Sequence, residues 1–246
     1  MTTHGLRLLP PGGGRRYRGT RLVRLGDVLP SGLARLDALG RYLQDVASDD
    51  GRDAGIDSNL AWLVRKTVLE LRRRPRLGEE LELQTWASGS GARWAERRTT
   101  ICVEGQPIVE ASSLWVCVDL ITRRPARLPE RFWVMFGDAV EDRTVSSRLA
   151  HPDPPAEPAP AYRPWPLRVG DLDILGHVNN AATWAAVDDE LDRIGPDLPI
   201  TGAELEYRGP IDRLLPATVA SQVTGGVISM WVLAGGSVAA SARLTG

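Results

Sequence analysis

The chain has 246 residues, a net charge of −1 and a hydrophobic content of 43%. These values are typical of a globular protein with one large domain or two ordinary ones. No apolar run approaches the roughly 20 residues of a membrane span, and the first residues lack an apolar signal-peptide core, so we expect a cytoplasmic protein. The near-zero charge and the lack of alternating basic and aromatic residues argue against a nucleic-acid partner.

The first half predicts one helix followed by four strands, after a glycine- and proline-containing tail at residues 1–16. The apolar residues of the helix recur at intervals of three and four: Leu36, Leu39, Leu43 and Val46. Strand-like runs follow at 62–71, 80–87, 93–103 and 108–118. Their alternation of apolar and polar residues predicts antiparallel strands with one solvated face. Cys102 and Cys117 lie inside these runs, where buried packing is a more natural role than a disulfide or a nucleophile.

A proline-rich linker separates this first domain, residues 17–135, from a second domain at residues 162–246. The linker is assigned to residues 136–161, and the stretch His151–Pro166 contains seven prolines, which prevent a helix or a central strand. Helical spacing returns in the second domain at Trp184, Val187, Leu191 and Ile194. Strand-like runs follow again at 204–208, 217–223, 227–233 and 237–244.

The two halves are copies of one another. Arg24-Leu25-Gly26-Asp27-Val28 matches Arg168-Val169-Gly170-Asp171-Leu172, and Gly32 and Gly176 follow at the same distance. Leu69-Glu70-Leu71-Arg72 likewise matches Leu205-Glu206-Tyr207-Arg208. Each half therefore predicts a strand, a helix and four more strands, which gives an α+β protein. Two such sheets side by side cover each other's edges, so we expect a monomeric pseudo-dimer or a homodimer of it.

The chemistry concentrates in one turn of the second half, between Asp171 and Asn180. The repeat places leucines, Leu29 and Leu33, opposite Asp173 and His177, so the second copy has polar groups that packing alone does not require. An aspartate and a histidine at a helix start suit water activation and carbonyl polarisation. Asp171, whose counterpart is also aspartate, is better explained by capping, as are Asn179 and Asn180. A satisfied core histidine is the alternative for His177.

These blocks resemble the acyl-acyl carrier protein thioesterases of the plant and bacterial type, which consist of two tandem hotdog domains. In the first half the resemblance covers residues 21–129 and rests on 43–45, 62–64, 85–86 and 111–116. In the second half it begins at residue 162 and rests on 171–173, 177–180 and 205–208. The resemblance implies hydrolysis of fatty acyl thioesters by a hydrolase without a cofactor.

The resemblance places the family's catalytic aspartate on Asp173 and its histidine on His177. Asp173 would act as a general base on water or as a nucleophile, and backbone N–H groups around Val178 would stabilise the oxyanion. Three other family positions hold Leu175, Thr183 and Pro210 here. The site therefore works with a reduced set, recruits Asn180 or Glu206, or is inactive. No metal is implied, because His177 has no second histidine or cysteine at ligand spacing.

The resemblance also places an acyl pocket between the helix and the sheet of the first half, with Trp62, Trp86 and Trp115 as lining candidates. Plain core packing explains these tryptophans equally well. Residues 1–125 carry a net charge of +5 and residues 126–246 carry −6. The basic surplus is interpreted either as a solvated strand face or as a docking surface for an acidic acyl carrier protein. The candidate docking residues are Arg72, Arg74, Arg97 and Arg98.

Three alternatives to acyl-carrier hydrolysis remain at this stage. A non-catalytic protein that binds acyl chains or acyl carriers would explain Leu175 and Pro210. An acyl-CoA thioesterase would use the same turn on a coenzyme A thioester. A hotdog enoyl hydratase resembles this class, but its spacing between aspartate and histidine is one residue longer and its asparagine is present.

Overall fold

The computed structural model describes residues 13–56, 60–140, 143–174, 176–195 and 198–246. Its first half consists of β1 (Tyr17–Leu22), α1 (Leu36–Asp53), β2 (Leu60–Leu71), β3 (Glu80–Ser90), β4 (Trp94–Val103), β5 (Gln106–Asp119) and α2 (Glu130–Val140). Its second half consists of β6 (Arg163–Pro164), α3 (Thr183–Ile194), β7 (Gly202–Tyr207), β8 (Ala217–Thr224), β9 (Val227–Ala234) and β10 (Ser237–Thr245). The predicted order of strand, helix and four strands is confirmed in both halves.

One antiparallel sheet runs through the described part of both halves, in the order β1-β3-β4-β5-β2-β7-β10-β9-β8-β6. The halves meet where β2 pairs with β7, and Val68 stands opposite Glu204. The repeat makes Glu204 the counterpart of Val68, so a pseudo-two-fold axis passes between these residues. The prediction of two hotdog domains in an intrachain pseudo-dimer is thereby confirmed.

Each long helix packs its apolar stripe against the sheet. In α1 the predicted residues Leu36, Leu39, Leu43 and Val46 are all buried. Trp184 and Val187 of α3 are buried in the same core. The helices also touch each other, because a Cβ on Gly40 of α1 would lie only 2.9 Å from Cδ1 of Trp184. The helix starts of the two halves are therefore close to the junction.

The first half contains a helix that the second half lacks among its described residues. Helix α2 packs against β3, and its Phe132, Phe136 and Val140 form a second hydrophobic cluster with Ala87 and Cys117. The predicted boundary of the first domain lies at residue 135, whereas α2 continues to Val140. The first half therefore extends through Val140, because the apolar stripe of α2 stays in contact with this cluster.

The linker lies along the sheet face opposite the helices. Glu206 is fully buried beneath it and accepts hydrogen bonds from the N–H groups of Ala150 and His151, at 2.7 and 3.0 Å. Trp231 Nε1–H donates to the carbonyl of Pro152 at 2.9 Å. Both cysteines have free thiols. None of the helices in the described residues is long and apolar enough to cross a membrane.

Candidate active site

The two turns before the helices have the same backbone hydrogen bonds. In the first half Leu29 N–H donates to the carbonyl of Leu33, and in the second half Asp173 N–H donates to the carbonyl of His177, both at 2.8 Å. Gly32 and Gly176 have a φ of 78° in each turn, a conformation that favours glycine. The backbone is therefore a common scaffold, and only the second copy carries ionisable side chains at the positions of Asp173 and His177.

The side chain of Asp173 is positioned by a backbone group of the same turn. Its Oδ1 accepts a hydrogen bond from the backbone N–H of His177 at 3.2 Å. His177 also forms an isolated antiparallel bridge with Asp212, and its side chain is partly exposed. Neighbouring Ile174 is fully exposed. The predicted pair therefore lies on a rigid turn at the protein surface, within reach of solvent and substrate.

The predicted oxyanion donor at Val178 is wrong. Its N–H donates to the carbonyl of Ile211 at 3.0 Å, as the N–H of Ala34 donates to Pro75 in the first half. This bond ties the turn to the segment before β8 and occupies the donor. The next N–H that could serve belongs to Asn180, for which no acceptor occurs within the described ranges.

Capping explains Asp171 and Asn179, as expected, whereas Asn180 contributes a backbone contact. Asp171 Oδ2 accepts the N–H of Arg168 at 2.7 Å, and Asp27 does the same for Arg24. Asn179 Oδ1 accepts the N–H of Ala181 at 2.8 Å. The carbonyl of Asn180 accepts the hydroxyl of Tyr207 at 2.8 Å, which fixes the start of α3.

The remaining candidates for a larger catalytic set are Leu175, Glu206, Thr183 and Pro210. Leu175 lies outside the described residues. Glu206 lies on the opposite sheet face under the linker, so its recruitment is excluded. Thr183 is buried, with Oγ1 3.5 Å from the carbonyl of Asn179, and Pro210 is exposed. Asp173 and His177 are left as the ionisable pair of the turn.

A cavity of about 330 Å³ opens between α1, α2 and the sheet of the first half. Trp62 and Trp115 line it, but Trp86 does not. Trp86 is almost fully buried on β3, in alternation with Ala87, which does face the cavity. Part of the lining comes from α2, a helix that is absent from the predicted elements. That helix contributes Phe132 and Phe136, whose spacing of four is a helical signal.

A narrow crevice lies beside this cavity and reaches the start of α3. It has a volume of about 10 Å³ and is lined by Gln44 of α1, Ala181, Trp184 and Tyr207. Trp115 lines both spaces, and its buried Nε1–H has no hydrogen-bond partner among the residues that the structure describes. The indole of Trp115 therefore separates the first-half cavity from the start of α3.

The four predicted docking arginines do not form a shared exposed surface. Only Arg72 is exposed. Arg74 pairs with buried Asp188 at 3.0 Å, Arg97 pairs with Asp50 at 2.5 Å inside the cavity, and Arg98 is buried beside Glu96. Burial and ion pairing are incompatible with a carrier-facing role for Arg74, Arg97 and Arg98.

One group of described residues has the composition of a metal site: His151, Glu204 and Glu206. The ammonium of Lys66 pairs with both carboxylates. Burial alone would raise the pKa of Glu204, but hydrogen bonds from His151 and Lys66 bring it to about 2. Lys66 thus already balances part of the negative charge of this cluster, which fastens the linker and lies on the opposite sheet face from the helices.

Known proteins resemble this chain in sequence and in fold. Residues 14–136 match the family model of the acyl-ACP thioesterase N-terminal domain. An uncharacterized protein of Mycobacterium tuberculosis is 29% identical over 211 residues, covering 85% of this chain and 84% of the relative. A dodecanoyl-[acyl-carrier-protein] hydrolase of Umbellularia californica is 26% identical over 233 residues, covering 85% of this chain and 60% of that protein.

Two solved structures share the whole architecture. The 12:0-ACP thioesterase of Umbellularia californica has a TM-score of 0.77 and 23% identity, covering 100% of this chain and 98% of the other. An acyl-ACP thioesterase of Bacteroides thetaiotaomicron has a TM-score of 0.78 and 19% identity, covering 94% and 97%. At these identities the structures support the tandem hotdog fold. The family match shows that the chain belongs to the acyl-ACP thioesterase family, and it confirms the predicted class of enzyme, a thioester hydrolase.

Proposed function

We propose that this protein hydrolyses the thioester of fatty acyl-acyl carrier protein and releases a free fatty acid for fatty acid biosynthesis. The observation that carries the proposal is the duplicated turn, which holds Asp173 and His177 where the other copy holds Leu29 and Leu33. The crevice beside the start of α3 and the first-half cavity behind Trp115 offer space for the acyl chain.

In the proposed reaction the thioester carbonyl lies at the start of α3. Asp173 removes a proton from the attacking water, or attacks the carbonyl itself and is released by water in a second step. The carbon–sulfur bond breaks as the tetrahedral intermediate collapses, and the leaving thiolate takes a proton from His177. The hydrogen bond from His177 N–H to Asp173 Oδ1 keeps the two residues in register.

The acyl chain extends past Trp115 into the first-half cavity. Aliphatic and aromatic side chains from α1, α2 and the sheet provide most of its wall: Ala47, Ile56, Trp62, Ala87, Ala95, Phe132 and Phe136. Arg97, which forms an ion pair with Asp50, lies in the same wall. Burying methylene groups against apolar atoms is favourable by about 0.8 kcal/mol each, whereas chain atoms pressed against this ion pair gain nothing. We therefore place the limit of the chain at Arg97.

Acyl-coenzyme A is the second candidate substrate. A specific observation favours it: three of the four arginines once considered for carrier docking are buried and paired. The geometry of the turn suits either thioester, since the chemistry is identical at the carbonyl. Carrier preference therefore depends on surfaces outside the turn.

The proposal is tested by free-thiol release from acyl-carrier and acyl-coenzyme A thioesters of increasing chain length. We expect turnover by the native protein and a loss of about 10²–10⁴-fold in kcat for Asp173→Asn. Asp192→Asn, on an exposed position of α3, is the matched control and should retain full activity. Folded protein that binds acyl carriers and releases no thiol from any substrate would replace hydrolysis by acyl binding.

A further inference from the structure

The start of α1 is closed by a carboxylate from the opposite helix. Asp188 of α3 accepts the N–H of Leu36 through Oδ2 at 2.7 Å. Its other oxygen accepts a hydrogen bond from Arg74 at 3.0 Å. Asp188 is 6% exposed. The helix of the second half thus reaches the helix start of the first half with a side chain.

The repeat identifies what should face the start of α3. Because Arg35 and Asn179 occupy the same place in the duplicated turns, Asn180 is the counterpart of Leu36. Gln44 lies as far along the chain from Leu36 as Asp188 lies from Asn180. Gln44 is therefore the pseudo-symmetric counterpart of Asp188, and it should reach the catalytic half from α1.

The contacts of Gln44 agree with this placement. Its side chain lines the crevice together with Ala181 and Tyr207, directly beside the start of α3. It is half-buried and makes no hydrogen bond with any residue in the described ranges. The hydroxyl of Tyr207 is already committed to the carbonyl of Asn180. Gln44 thus offers a side-chain amide without a protein partner beside the catalytic turn.

The repeat has a glutamine, Gln44, where the other copy has Asp188. A glutamine at this point suits a negative charge that develops on the substrate. A carboxylate, as in Asp188, repels the oxyanion of a tetrahedral intermediate, whereas a glutamine amide is neutral and has two donor hydrogens. The crevice of about 10 Å³ is large enough for a single water-sized atom such as a carbonyl oxygen. The donor predicted at Val178 is occupied, so the site needs another donor.

We propose that Gln44 is a catalytic residue of the thioester hydrolase, and that its side-chain N–H donates to the substrate carbonyl oxygen together with the N–H of Asn180. The inference rests on the proposed function and extends it. The catalytic site then spans both halves: the second contributes Asp173 and His177, and the first contributes the oxyanion donor. A preorganised donor of this kind stabilises charge that develops only in the transition state.

The test compares Gln44→Ala, Gln44→Glu and the control Gln106→Ala, at an exposed position of the β4–β5 turn. We expect Gln44→Ala to lower kcat by about 10²-fold with little change in KM, because one oxyanion donor is lost. Gln106→Ala should match the native protein. Thermal unfolding of each variant shows that the fold is retained.

Gln44→Glu provides a readout that a structural role would not move. A protonated glutamate still donates a hydrogen bond, whereas an ionised one repels the oxyanion. The kcat of this variant should therefore fall as the pH rises through the pKa of the new carboxyl, relative to the profile of the native protein.

Unchanged kcat in Gln44→Ala, or identical pH profiles for Gln44→Glu and the native protein, would overturn the assignment of Gln44. If the native protein and Asp173→Asn both release no thiol, the proposed function itself fails. Activity that depends on Asp173 but not on Gln44 overturns only the present inference.

Discussion

The turns before α1 and α3 have the same backbone conformation and differ in their side chains. Residues 27–35 and 171–179 make the same hydrogen bonds, yet Leu29 and Leu33 occupy one copy and Asp173 and His177 the other. The first half has instead α2 and a cavity of about 330 Å³. The two copies of one fold thus differ in kind: one carries Asp173 and His177 in its turn, and the other encloses a cavity.

Making the second turn like the first should have the largest effect. Asp173→Leu combined with His177→Leu should reduce thiol release by at least about 10³-fold. The melting temperature should change little, because the first half shows that the same turn accepts leucines. A kinetic assay with a calorimetric scan measures both quantities. Substantial residual activity would mean that the reactive groups lie elsewhere.

The starts of α1 and α3 also differ, because among the described residues only the start of α1 is capped by a buried carboxylate, Asp188. Its contribution to stability should depend on pH. Burial raises the pKa of Asp188 to about 6, although Arg74 and the N–H of Leu36 oppose the shift. A carboxyl whose pKa is higher in the folded state binds more protons when folded, so its contribution to stability is present at low pH and is lost as pH rises. The free energy of unfolding of the native protein, relative to Asp188→Asn, should fall by on the order of 2 kcal/mol between pH 4 and pH 6.

Urea unfolding at several pH values measures this difference. Asp192→Asn, on the exposed face of α3, serves as the control and should follow the native curve. A difference that stays constant over this pH range would show that Asp188 is ionised throughout.

Filling the cavity of the first half should remove the space proposed for the acyl chain. Ala47 of α1 lines the cavity, and Ala47→Phe should lower kcat/KM for the longest accepted chains by about tenfold and leave short chains nearly unaffected, since a few buried methylene contacts of about 0.8 kcal/mol each are lost. Ala156→Phe, at an exposed linker position, should not change the chain-length profile. An equal loss for all chain lengths would place the acyl chain elsewhere.

The smallest effect is expected from the surface charge of the first half. Arg72 is the exposed member of the predicted docking set, and Arg72→Glu should raise KM for acyl-carrier protein about threefold at low salt, because long-range attraction to an acidic partner mainly affects encounter. KM for acyl-coenzyme A should stay within error. Equal changes for both substrates would argue against a docking role for this residue.

The sequence predicts much of the fold because the repeat and the periodicity are local signals. The run at 217–223 predicts β8, which spans Ala217–Thr224, and the leucine spacing predicts α1. The partners of buried charges are not local. Arg97 meets Asp50, and Arg74 meets Asp188, only after α1, α3 and the sheet have packed. A count of charges therefore cannot distinguish arginines in ion pairs from arginines on an exposed surface.

The catalytic role of Asp173 and His177 stays a prediction, whereas the N–H of Val178, the expected oxyanion donor, is already occupied. Asp173 and His177 stand out because the other copy is apolar at both places. Val178 was assigned as a donor because helix starts usually have free N–H groups, but pairing with Ile211 depends on how the segment before β8 returns to the turn. The repeat aligns Gln44 with Asp188, so the sequence contains this correspondence. Which residues Gln44 faces becomes visible only once α1 is packed against α3.

The linker between the halves has a consequence for circular permutation. Its N–H groups at Ala150 and His151 satisfy Glu206, which is fully buried, and new termini there would leave a buried carboxylate short of donors, a costly arrangement. The hairpin turns at Gly225 and Gly235 are exposed and lie between paired strands, where breaks are better tolerated. A permuted chain that keeps the natural connection and opens at a hairpin should therefore fold better than two halves produced by cutting the linker.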